Sequence, residues 1–162
     1  MYICFEVKNK ETLGDIDEYL DEELTPFQYS LEELSRYIDG EITIELDKQH
    51  LIYLDLYSDF SLNLDEIIIF IHRVKSSWVG EDYIWFCEQG RDIYLYYNVN
   101  DAEVNLSYTK GKESDKGKER KLSPDFNVKV SKLEFINEWK KVFQKLSELF
   151  EEKLNKKIEI PF

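Results

Sequence analysis

One stretch near the end of the chain decides what the rest must supply. Leu133, Ile136, Trp139, Val142, Phe143, Leu146, Leu149, Phe150 and Leu154 recur at spacings of three and four, which puts them on one stripe of an amphipathic helix. Ser131 and Glu134 stand three apart at its start, the spacing of a capping box. Lys140, Lys141, Lys145, Glu148 and Glu152 fall on the opposite, wetted side. The pattern predicts a helix over 132–156. A one-sided helix draws most of its stability from the apolar surface it lies on. Trp139, Phe143, Leu146 and Phe150 are the side chains expected to bury against that surface.

The surface itself is read from alternation. Ile3, Phe5 and Val7 share one face of a first strand, Tyr2 to Val7. From Glu41, Ile42, Ile44 and Leu46 alternate with polar residues. After the turn Asp47 to His50, Ile52, Leu54 and Leu56 alternate with Tyr53, Asp55 and Tyr57. This is a hairpin with one face dry and one wet. A three-strand meander follows over Tyr83 to Glu88, Ile93 to Asn98 and Glu103 to Tyr108, in residues that suit a half-buried pleated surface. Phe126, Val128 and Val130 add a last short strand. Two more helices are expected. One spans Leu31 to Ile38, capped by Ser30 with Glu33 at capping-box spacing, and leaves through Gly40. The other opens at Asn63 with Asp65 and Glu66 in its first turn, where the helix dipole favours carboxylates, and stops near Ser76.

Strands in runs, broken by helices without regular alternation, give an α+β class. The expectation is a mainly antiparallel sheet of six or seven strands, with two main helices, 64–75 and 132–156, on one face and a short N-terminal helix. The 162 residues fit a single domain, 1–162. The charged run 110–121 can bury nothing and is expected as a mobile loop within that domain.

Charge narrows the partners. The chain holds 34 acidic and 21 basic residues, a net charge of −13, and residues 1–60 carry 16 of the acids against 4 bases. The tyrosine-bearing strands sit amid Asp55, Asp59, Glu88 and Asp92, which would repel phosphate, so nucleic acid is not an expected partner. Residues 1–6 show no secretion-signal pattern. The most apolar stretch, Leu64 to Ile71, contains two acids and is too short to cross a bilayer. A cytoplasmic protein without a membrane partner is expected. Cys4 and Cys87 lie in alternating apolar runs and are expected as buried free thiols.

No catalytic constellation emerges. His50 and His72 stand apart from other metal-ligand types at ligand spacing. The acidic run Asp15 to Glu23 lacks the glycine and spacing of a calcium loop. No nucleophile has a base near it in sequence, and no glycine-rich phosphate cradle is present. Catalytic residues, a metal and a cofactor are therefore all unassigned, and a non-enzymatic protein is expected.

Two residue sets suit a binding role instead. Tyr53, Tyr57, Tyr94 and Tyr96 lie opposite the apolar residues of their strands, and Tyr is a preferred interface residue. Asp15, Asp17, Glu18, Asp21, Glu22 and Glu23 form an acid cluster that would steer a basic partner. Each set has a plainer reading: cross-strand tyrosines stabilise sheets, and charge runs keep surfaces solvated.

The opening strand Tyr2 to Val7, the hairpin Ile42 to Leu56, the helix Leu64 to Lys75, the aromatic meander Tyr83 to Tyr108 and the closing Trp139 helix together resemble small acidic bacterial immunity proteins of polymorphic toxin systems. The resemblance covers most of the chain as architecture and rests on no sequence signature. It implies a cytoplasmic antidote whose protein partner is a toxin domain with a basic cleft. A self-associating structural module, pairing through an aromatic face or an edge strand, is the alternative.

Overall fold

The computed structural model describes residues 1–13, 24–87, 91–112 and 125–162. The order of elements is β1 (Tyr2–Asn9), α1 (Pro26–Leu34), β2 (Ile38–Glu45), β3 (Leu51–Asp55), a π-helical turn (Leu56–Ser61), α2 (Leu64–Lys75), β4 (Gly80–Phe86), β5 (Ile93–Val99), β6 (Glu103–Lys110), β7 (Phe126–Ser131) and α3 (Lys132–Leu154). The class is α+β and every strand pair is antiparallel. The strands form two sheets instead of one, in the orders β1-β2-β3 and β4-β5-β6-β7.

The end of β3 is made by two aspartates. Asp55 ends β3 and accepts the N–H groups of Tyr57 and Ser58 at 3.0 and 2.8 Å, capping a helical turn where a strand would otherwise run on. Asp59 within that turn accepts the outward N–H of Asp55 at 2.7 Å. The hairpin expected to reach Leu56 therefore ends at Asp55, and Leu56 is wholly buried in the turn. Gly40, expected as the left-handed exit of a helix, lies in β2 opposite Val7. A Cβ there would come 2.8 Å from Leu56 Cδ2 and 3.2 Å from the Phe5 ring, so glycine makes room for the turn to fold back over the sheet.

The first helix starts earlier than its spacing suggested. Thr25 caps it, and Gln28 returns the bond to the Thr25 N–H in a capping box; Ser30 is buried within it and Ile38 opens β2. Asn63 precedes α2 as expected but makes no side-chain cap bond.

The helices do not share one face of one sheet. α3 packs against β1 of the first sheet, β7 of the second, and α1 and α2, so it binds the two halves together. Phe60, Phe135 and Phe143 surround Trp139, with ring centroids 6.1, 6.4 and 6.4 Å away. Phe27 of α1 meets Phe143 and Phe150 at 5.3 and 5.1 Å. Phe70 of α2 stacks on Tyr97 of β5 at 3.8 Å. Trp139, Phe143, Leu146 and Phe150 are all buried, as the stripe required. Leu133 is 71% exposed, and Phe135 takes the buried place at that end. Only half of the expected capping box forms: Ser131 Oγ accepts the Glu134 N–H, while the Glu134 carboxylate pairs with the Met1 ammonium. Asn155 closes α3 in the left-handed conformation (φ 54°), a role its short amide tolerates well.

Candidate functional site

The strand pleat decides which aromatic residues reach water. In the four-stranded sheet Ile84 and Phe86 of β4, and Ile93, Leu95 and Tyr97 of β5, point into the core. Their neighbours in sequence point out. Register then places Tyr83 beside Tyr96 and Trp85 beside Tyr94. The four rings lie 5.6 to 6.0 Å apart as neighbours on one face. Tyr83, Trp85 and Tyr96 are 50, 47 and 42% exposed. The Trp85 indole N–H donates to Asp92 at 3.1 Å, which fixes the ring. Partial desolvation and the Asp92 carboxylate hold the Tyr94 phenol above its ordinary pKa.

Beyond the rings the same face turns polar. Tyr96 faces Ser107 across β5–β6, and Ser107 faces Asn127 across β6–β7, with the Asn127 amide donating to the Ser107 hydroxyl at 2.8 Å. Tyr83, Tyr96, Asn98, Asn105, Ser107 and Asn127 line a shallow hollow here, into which the sheet brings amides and hydroxyls beside exposed rings. Tyr, Trp, Ser and Asn together give rigid apolar contact and adaptable hydrogen bonds, the mix that recognition surfaces favour.

The sequence-derived residues divide between this face and other places. Tyr94 and Tyr96 are brought together. Tyr53 is half-buried on the wet face of the other sheet. Tyr57 is a correction: it belongs to the helical turn, packs against the core, and burial pushes its phenol upward. Strand alternation placed it outside only because β3 was read two residues too long. Asp15, Asp17, Glu18, Asp21, Glu22 and Glu23 lie outside the described residues, as do Glu88 and residues 113–121 of the charged run; Lys110 closes β6. Tyr83 and Trp85 were missed, although the parity that selected Tyr94 and Tyr96 also applies to them: they alternate with Ile84 and Phe86.

The wet face of the three-stranded sheet is acidic. Glu41 stands opposite Glu6 on one side and Asp55 on the other, which brings three carboxylates into one row across the sheet. Cys4 is half-buried on this face and Cys87 is exposed; both are free thiols, and neither is buried as expected. Alternation alone could not say that their faces were the wet ones.

The remaining titratable groups of note have structural partners. His50 pairs with Asp47 at 2.7 Å and lies over Phe126. The His72 ring contacts the Pro161 carbonyl at 3.2 Å. Arg73 reaches Asp82, the Tyr97 hydroxyl and the Trp78 ring. Arg91 and Asp59 form a buried ion pair at 2.8 Å, tying the π-helical turn to the residues that lead into β5. Among the described residues, no His, Cys, Asp and Glu side chains gather into a group that could hold a metal ion, and no helix is long and apolar enough to cross a membrane. Comparison with known proteins returns no match: no family model, curated protein or solved structure is similar to this chain.

Proposed function

We propose that the protein is a non-enzymatic binding module that engages another protein through the aromatic face of its four-stranded sheet. The observation that carries this reading is the contiguous set Tyr83, Trp85, Tyr94 and Tyr96 on a sheet face that the described residues leave exposed. A cluster of rigid, amphipathic rings beside amides has the composition of an interface centre. The core does not need these rings, because α2 and α3 cover the opposite face of the strands with their own aromatics.

Charge selects the partner class. A chain of net charge −13 associates fastest with a basic surface, and the acidic row on the other sheet adds to the same field. In the terms of the immunity-protein resemblance, the partner is a cytosolic toxin domain with a basic cleft. Co-expression with the product of the adjacent reading frame tests this. The proposal expects the pair to co-purify at equal stoichiometry, with an association rate that falls steeply as salt rises. Lack of association between the purified proteins at low salt would remove the antidote reading.

A further inference from the structure

The outer strands β1 and β4 differ in how their free edges are finished. On an outer antiparallel strand, alternate residues turn their backbone groups away from the sheet. On β1 these include Ile3 and Phe5, and α3 covers them: the Ile3 N–H donates to Glu138 at 3.0 Å, and the Phe5 carbonyl accepts from Lys145 Nζ at 2.5 Å. On β4 the outward residues are Glu81, Tyr83 and Trp85. The Asn100 N–H bond to the Glu103 carbonyl at 3.0 Å sets the alternation from which this parity follows through β5. The Tyr83 N–H reaches only the neighbouring Asp82 carboxylate, at 2.9 Å. The other outward backbone groups of these three residues have no partner among the described residues.

β4 is only lightly defended as an edge: Glu81 and Asp82 are its charged residues. Its sequence, Gly-Glu-Asp-Tyr-Ile-Trp-Phe, contains no lysine and no proline, the residues that commonly blunt such edges. Tyr83 and Trp85 carry exposed ring surface right up to it.

We infer that β4 pairs antiparallel with β4 of a second copy of this chain, about a two-fold axis at Tyr83, joining two four-stranded sheets into one. The strand is self-complementary in that register. Tyr83 meets its own counterpart, Glu81 meets Trp85, and Asp82 meets Ile84, so no like charges stand opposite one another. Arg73 already neutralises Asp82 within each copy. The pairing is isologous and closed, and it satisfies the outward N–H and C=O groups that the single copy leaves to water. It also aligns the two aromatic faces into one surface. The inference goes beyond the binding proposal, which needs only one copy. Each copy carries −13, so their repulsion opposes pairing and salt strengthens it.

Amide hydrogen exchange of the full chain, at low and high micromolar concentration in high salt with sedimentation equilibrium alongside, tests the inference. The expected result is a dimer at high concentration in which the Glu81, Tyr83 and Trp85 amides slow by about tenfold or more, while those of Asn127 and Lys129 on β7 do not change. A strict monomer under all these conditions overturns it, as does a dimer whose β4 amides exchange at the monomer rate. Trp85→Lys adds a lysine at the edge without entering the core and is expected to be a folded monomer at every concentration, melting cooperatively at low micromolar concentration, where wild type is monomeric too. A folded Trp85→Lys protein that still dimerises through β4 also overturns the inference. Dimerisation and binding of a basic partner are separate readouts, so failure of one leaves the other intact.

Discussion

Asp59 shows how much one buried charge can decide. Its carboxylate meets Arg91 at 2.8 Å with side chains only 3 and 10% exposed, and it also holds the Asp55 N–H where β3 gives way to a helical turn. Removing one member of a buried pair leaves the other charge desolvated and alone, at a cost of about 3–5 kcal/mol. Asp59→Ala is therefore expected to lose about that much stability in chemical denaturation. Asp82 makes a different prediction because it is partly exposed. The Arg73 guanidinium, helped by the Tyr83 N–H, holds its carboxyl below the usual aspartate range. A folded pKa below the unfolded one means that the stabilisation is complete above about pH 4 and disappears as pH falls through the folded value. Asp82→Asn should thus be less stable than wild type at neutral pH, and the two melting curves should converge in acid. A stability gap that persists undiminished in acid would assign the effect to geometry instead of charge.

Among the elements, α3 ties the most together. It covers the β1 edge with Glu138 and Lys145 and sends Trp139 among Phe60, Phe135 and Phe143. Burial pushes the Glu138 carboxyl up, but Lys141 and the Ile3 N–H outweigh it and hold it below its ordinary value, so this edge contact is made by a carboxylate at neutral pH. Trp139→Ala removes a large buried ring and leaves a cavity, and is expected to cost about 3–5 kcal/mol, read as a lowered denaturation midpoint. If α3 were a detachable docking arm, the variant would melt like wild type.

Across the whole molecule, the periods of the sequence were legible wherever a single rule governed. The three-and-four spacing placed Trp139, Phe143, Leu146 and Phe150 in the core, and the alternation of β5 put Tyr94 and Tyr96 on the wet face. What escaped were the points where local chemistry overrides a period. Asp55 and Asp59 stop β3 through side-chain bonds, which places Tyr57 in a buried turn, and the strands part into two sheets, a matter of pairing that alternation does not encode. Ser30 and Thr25 both lie within reach of a helix start, and only the reciprocal bond from Gln28 chooses Thr25. Tyr83 and Trp85 follow the same parity, alternating with Ile84 and Phe86, but only the register of β4 against β5 shows that the four rings adjoin.

The central claim is that these exposed rings serve binding and that the rings beneath them serve folding. Calorimetric titration of the product of the adjacent reading frame, the partner proposed above, against wild type and a Trp85→Ala/Tyr96→Ala double variant, paired with thermal melts of both, separates the two roles. The account predicts a loss in affinity of about 100-fold or more, the scale of central interface aromatics, with melting close to wild type. A double variant that binds its partner as tightly as wild type would contradict it.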